Sequence, residues 1–329
     1  MRGLVLGYYN QRNAGDDRLE SCIRNWLSDH ELIFRPHMEV PEISQLDQVD
    51  YVLIGGGSVA NRVGGVFFRM RNWINKARIP VFCAGIGVSD FQEFQQEMSV
   101  IRESGGHIWV RDPESLRNVR QPVTAVDLAP DLSWLYPMHF PSCRRHGTAI
   151  NLRPGGVRQI DIEQWRGAFK NVESPWAWPL CFGKEDDRDV IHHIATCDGI
   201  SEFDPTGASR AELVIAMRFH AVIFAIQAGT PVVPIVHTKK TQFLLEQAGL
   251  TDLMVAHDQP ELLGSAIERA QTMDRSRLSA VCERMHHEVS EYAQNFKTRI
   301  EDAVQKNEQR RAFSYRVRRR LRNQLQKMI

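Results

Sequence analysis

The segment Ala216-Met217-Arg218-Phe219-His220-Ala221 sets a guanidinium and an imidazole two residues apart, where an apolar strand ends and a helix begins. A fixed guanidinium at a helix N-terminus suits phosphate or carboxylate, because its N–H fork and the helix dipole both favour an anion. Imidazole is the side chain that moves protons near neutral pH. An arginine in such a loop is often a surface ion pair, and a histidine is more often hydrogen-bonded structure than an acid. Apolar flanks on both sides argue here against an accidental surface pair. Arg153, beyond the strand Thr148 to Leu152, and Lys240, beyond the strand Pro231 to Val236, bring further positive charge to the same strand ends. These groups together suit a small anionic donor. Arg111 and Lys239 read instead as solvated surface.

Three glycine-bearing segments sit at similar places in the first half. In Gly7 to Asp17, GYYNQRNAGDD, Gly15 permits a tight turn, and Asn13, Asp16 or Asp17 can cap the next helix. Two adjacent acids exceed what one cap needs, so one of them is expected to face the ligand. Ile54-Gly55-Gly56-Gly57-Ser58 and Ala84-Gly85-Ile86-Gly87 each end an apolar run, where missing side chains let a ligand or another backbone approach. Neither is a dinucleotide fingerprint or a P-loop. Each alone is a tight turn; their recurrence at one structural place gives them weight. Asp112 is expected to cap a helix entered at Pro113.

These residues need a scaffold of strand ends. Short apolar runs at Leu4 to Tyr8, Tyr51 to Ile54, Pro80 to Ala84, His107 to Val110 and Thr124 to Asp127 alternate with helices over Asp17 to Leu27, Val66 to Ala77 and Phe91 to Glu103. Such alternation predicts a parallel sheet with helices on both faces. A polar, Pro-containing stretch near Tyr136 to Gly147 reads as a linker. A second alternation follows, with strands Thr148 to Leu152, Leu213 to Ala216 and Pro231 to Val236. Its helices lie over Ile160 to Phe169, Asp186 to Thr196, Phe219 to Ala228, Thr241 to Gln247 and Glu261 to Gln271, and a long one runs from Arg275. The predicted domains are therefore 1–138 and 147–290, followed by a C-terminal helix and basic tail over 291–329.

The bulk numbers agree with a globular protein. Charged residues make up 25% and the formal net charge is +1, so nothing global calls for nucleic acid. The six cysteines are scattered without zinc spacing, and the paired histidines His192-His193 and His286-His287 have no carboxylate or thiol at ligand spacing, so no metal is expected. With no leader pattern and no long apolar run, the chain is expected in the cytoplasm. The tail is different. Arginines from Arg310 to Arg322 interleave with Phe313, Tyr315, Val317, Leu321, Leu325, Met328 and Ile329, and helical spacing groups Val317, Leu321, Leu325 and Met328 on one face. An interfacial helix at the inner face of the membrane, a disordered basic end and a helix packed on the first domain are the open readings.

Collected in order, these segments resemble the polysaccharide pyruvyl transferase family. The resemblance rests on Asn13 to Asp17, Asp50 to Ser58, Gly85-Ile86-Gly87, Val110-Arg111-Asp112 with Ser115, Asn151-Leu152-Arg153, and Met217 to Ala221 (preceded by Ala216), followed by Gly229-Thr230-Pro231-Val232-Val233 and Lys240. It implies an α/β fold of two facing Rossmann-like domains, GT-B-like, with a cleft between them. It also implies phosphoenolpyruvate as donor substrate, no other cofactor, and a saccharide acceptor that lipid could carry. On that footing Arg218, Arg153 and Lys240 bind the donor, and His220 is the general acid. Asp16 or Asp17 is the base or orients a hydroxyl. Asn13, Gly15, Gly56, Gly57, Ser58, Gly85 and Gly87 form the acceptor or backbone loops. His237-Thr238-Lys239-Lys240 departs from the family's usual Tyr and Asp-Pro-Lys, and Trp176 to Asp187 has no close match. The competing functions are a glycosyltransferase using a nucleotide sugar and a non-catalytic anion- or sugar-binding module.

Overall fold

The structure, a computed structural model, describes residues 1–36, 46–60, 79–89, 95–119, 126–158, 160–183 and 185–326; the side chains of Gln95 and of 311–326 fall outside that description. The helix expected over Val66 to Ala77, the start of the one expected from Phe91, and the start of the strand expected from Thr124 lie outside these residues. So do the side chains of the basic tail.

The first sheet is built from β1 (Arg2–Gly7), β2 (Glu31–Pro36), β3 (Tyr51–Ala60), β4 (Val81–Val88), β5 (Ile108–Val110) and β6 (Val126–Leu128), in the order β2-β1-β3-β4-β5-β6. Every described pairing is parallel. Between these strands lie α1 (Ala14–Trp26), α2 (Gln95–Glu103) and α3 (Pro113–Val119). The second sheet has β7 (Thr148–Asn151), β8 (Pro175–Ala177), β9 (Leu213–Ala216), β10 (Val232–Val236) and β11 (Val255–Ala256), in the order β11-β10-β9-β7-β8. Its helices are α4 (Pro154–Val157), α5 (Ile162–Phe169), α6 (Asp187–Ile194), α7 (Phe219–Gln227), α8 (Lys239–Ala248) and α9 (Leu263–Thr272). β7 and β9 are buried throughout, as strands covered on both faces must be.

The glycine segments differ from expectation. β3 and β4 do not stop at their glycines. β3 continues through Gly55, Gly56 and Gly57 to Ala60, paired with β4 through Gly57 to Ile86 and Ala60 to Val88. Gly56, Gly57 and Gly85 take φ of 65°, 82° and 64°, values that side chains adopt only at a cost, and the pairing shifts register just beyond Gly57. The irregular glycines let both strands run on toward the cleft.

The chain closes with α10 (Ser276–Gln326). Leu278, Val281, Met285, Val289, Ala293, Phe296, Ile300 and Val304 are buried at spacings of three and four residues, which makes one continuous apolar stripe. The helix starts beside α7 and crosses to the first sheet. There Phe296 lies 5.9 Å from Trp26, 5.9 Å from Phe82 and 5.8 Å from Trp109, ring centre to ring centre. Trp26 Nε1 donates to the Ala293 carbonyl at 3.1 Å, and Tyr292 Oη to Asp127 at 2.8 Å.

Candidate active site

The two sheets meet through the loop after β1 and the segment before α6. Ala14 N donates to Leu180 O at 2.9 Å and Phe182 N to Arg12 O at 3.0 Å, a short antiparallel bridge centred on Asn13 and Cys181. Asn10 and Arg12 hold this loop with φ of 58° and 52°, a left-handed strain that recurs at functional loops. Asn13 is the cap of α1, accepting from Gly15 N at 3.2 Å. That frees both acids. Asp17 turns back to accept from Asn10 N at 3.1 Å, bracing the loop. Asp16 faces the cleft, so close to Gly57 that a Cβ there would meet its Oδ1 at 2.9 Å.

His220, in the first turn of α7, lies against the N-terminus of α1. A Cβ on Gly15 would overlap its imidazole, so only glycine fits. Gly15→Ala is expected to displace the ring or the helix and to lower turnover about 10²-fold, the usual effect of moving a reacting group by an ångström. Purified variant and parent compared for kcat and Tm check this, and equal kcat would show that the contact does not position His220.

Behind His220 lies Asp131, unremarkable in the sequence. His220 Nε2 is 3.6 Å from Asp131 Oδ1, and Arg111 Nη1 donates to Asp131 Oδ2 at 2.8 Å. Burial opposes charge on Asp131, but His220 and Arg111 outweigh it and hold the carboxyl well below the ordinary range. Arg111 therefore corrects the surface reading. It is buried, bonds Ser58 Oγ at 3.1 Å and packs 4.8 Å from the Phe219 ring centre, because β5 carries it inward between the two sheets. A Cβ on Gly87 would lie 3.4 Å from Arg111 Nη2 and 3.4 Å from Ser58 Oγ, so this glycine faces the same pair. Gly56 and Gly85 face Leu19 and Leu132 instead. Asp112 caps α3 as expected, accepting from Ser115 N at 2.8 Å. Lys239 is exposed and paired with Glu114.

Lys240 Nζ, in the first turn of α8, lies 6.0 Å from the centre of the same Phe219 ring. Burial, then the charges of Arg111 and Arg153, pull its ammonium down to about 7. Asp16 is moved the other way. Burial raises its carboxyl above the usual range although His220, Arg111, Lys240 and Arg218 pull it down. A half-buried cluster in which cations crowd one another is poised to take an anion.

Arg218 and Arg153 are both held by carboxylates. Arg218 Nε and Nη2 grip Asp187 at 2.6–2.9 Å, and the fully buried Asp187 also accepts from Leu180 N at 3.0 Å and Cys181 N at 3.1 Å. Arg153 Nε bonds Glu185 at 3.0 Å. Neither acid stands out in the sequence, where Asp187 looks like one of several charges opening a helix. Away from the cleft, Asp29, His30 and Glu301 bring ligand atoms within 4.8 Å of one another, but Lys297 already pairs with Asp29. Among the described residues, no helix is long and apolar enough to cross a membrane.

The whole arrangement is a GT-B-like fold. The glycosyltransferase VinC in complex with DTDP superposes with a TM-score of 0.53 at 9% identity, covering 92% of this chain and 100% of that one. The spinosyn rhamnosyltransferase SpnG complexed with thymidine diphosphate gives 0.52 at 12%, covering 88% and 96%. UDP-GlcNAc 2-epimerase from Methanocaldococcus jannaschii gives 0.52 at 9%, covering 84% and 94%. At such identities the likeness concerns the fold. No curated protein matches the sequence. Residues 4–239 match the model of the polysaccharide pyruvyl transferase family, and the chain belongs to that family.

Proposed function

We propose that the chain transfers the enolpyruvyl group of phosphoenolpyruvate to two hydroxyls of a saccharide, forming a cyclic pyruvate ketal and releasing phosphate. The observation that carries this reading is the crowding of Lys240 by Arg111 and Arg153, which together with burial draws its ammonium down to about 7. A carboxylate and a phosphate on one small donor suit that convergence of cations. The 147–290 domain holds the donor and the 1–138 domain presents the acceptor.

His220 gives its proton to the methylene carbon, which becomes a methyl group and leaves the phosphate-bearing carbon electrophilic. One sugar hydroxyl adds there as Asp16 accepts its proton; a raised carboxyl is a stronger base than an ordinary aspartate. The carbon–oxygen bond to phosphate then breaks and the second hydroxyl adds. The two hydroxyl protons balance the one placed on carbon and the one carried off with phosphate. Asp17, turned toward Asn10, keeps the loop that aims Asp16.

Lys240 supplies a pH test. An anion beside it raises its pKa, so above about 7 donor binding requires proton uptake. Donor kcat/KM is expected to fall about tenfold per pH unit above that value. Lys240→Arg, which keeps its charge, should flatten the fall, and an unchanged limb in that variant would assign the titration elsewhere.

The reaction itself is tested by supplying phosphoenolpyruvate or nucleotide sugars with a saccharide panel, and measuring ketal, phosphate and nucleotide. Ketal with phosphate supports the proposal. Sugar transfer with nucleotide release and no use of phosphoenolpyruvate would establish the glycosyltransferase reading, and donor binding without product the binding-module one.

A further inference from the structure

His237 follows β10 directly and has no part in the steps above. Both its ring nitrogens are shielded from solvent, and neither has a hydrogen-bond partner. The Ile235 carbonyl faces the ring without reaching hydrogen-bond geometry. Buried polar atoms normally find partners, and leaving one without costs about 1–3 kcal/mol. The ring lies on the glycine turn after β7. A Cβ on Gly156 would sit 3.2 Å from His237 Cδ2 and Cγ, and one on Gly155 would sit 3.6 Å from Arg153 Nε. His237 and Arg153 thus flank one turn, and Lys240 stands in the first turn of α8, three residues on.

We infer that His237 is a donor ligand, hydrogen-bonding the phosphate of the bound donor beside Arg153 and Lys240. This rests on the pyruvyl-transfer reading and gives the phosphate a place apart from the carbon that His220 protonates. A third cation would add to the repulsion already present. His237 avoids it, because burial first, then Arg153, Lys240 and His257, pull the imidazole down to about 4 and keep it neutral. A neutral ring has one N–H to donate to a phosphate oxygen and one nitrogen to accept from a P–OH.

The experiment compares the parent chain with His237→Phe and His237→Asn by titration calorimetry, using inorganic phosphate and pyruvate as separate probes. Phenylalanine keeps a flat ring for packing and removes both nitrogens; asparagine restores a donor. The expected result is phosphate affinity about 10- to 100-fold weaker in His237→Phe, pyruvate affinity unchanged, and partial recovery in His237→Asn. Donor KM should rise by a similar factor with kcat little altered. Phosphate bound equally by parent and His237→Phe, phosphate and pyruvate weakened alike, or no phosphate binding by the parent would each overturn the inference. Failure of the parent to form ketal from phosphoenolpyruvate would remove the reaction assigned above, while the phosphate titrations would still decide the role of His237.

Discussion

Replacing His220 with alanine is expected to lower turnover about 10²- to 10⁴-fold while the chain stays folded, the usual contribution of a positioned general acid. The ring is held by Gly15 on one side and faces Asp131 on another, with Phe224 stacked at 6.2 Å. Its removal leaves a cavity at the cleft but no unpaired charge, since Asp131 keeps Arg111. Donor binding should persist, because Arg153, Arg218 and Lys240 remain. Turnover in deuterated water gives the sharper readout. The parent should place solvent deuterium in the product methyl group, and His220→Ala should do so only at its residual rate. Undiminished turnover would remove His220 from the mechanism.

Asp187→Ala carries the other large effect, on stability. Asp187 is fully buried and accepts from the Arg218 guanidinium, two backbone N–H groups and Asn151 Nδ2, so its loss strands all of these at once. Breaking such a pair from one side destabilises by about 3–5 kcal/mol. A denaturant midpoint that hardly moves would show that the surroundings repack or admit water. The double variant Asp187→Leu with Arg218→Met separates packing from chemistry: much of the stability should return, since apolar pairs often replace buried ion pairs without loss. Donor affinity should not.

Much of this architecture is legible in the sequence because parallel strands buried on both faces leave near-continuous apolar runs. β9 falls on Leu213–Ala216 and α7 begins at Phe219, where the apolar run and the loop chemistry place them. The short strands at Pro175–Ala177 and Val255–Ala256 carry no such run, Glu31–Pro36 holds only Leu32-Ile33-Phe34 between Glu31 and Arg35, and the pairing of all three is settled by neighbours distant in sequence. The site divides in the same way. Residues at strand ends, His220, Asp16, Lys240 and Arg153, can be found from local pattern, since the end of a strand is where a side chain meets the cleft. Their partners cannot. Asp131, Glu185 and Asp187 look like ordinary acids until the fold sets them against cations far away in the chain, and Arg111 looks exposed until β5 carries it between the sheets.

The path of α10 bears on how the protein is made. Trp26, Phe82 and Trp109 belong to the first sheet's half, yet Tyr292 and Phe296, near the end of the chain, complete the aromatic cluster around them. A ribosome delivers the first half long before those two rings emerge. Until then the nascent first half has no Phe296 to cover its aromatic centre, and such a surface invites chaperones or aggregation. The half that comes off the ribosome first is therefore the half that finishes last.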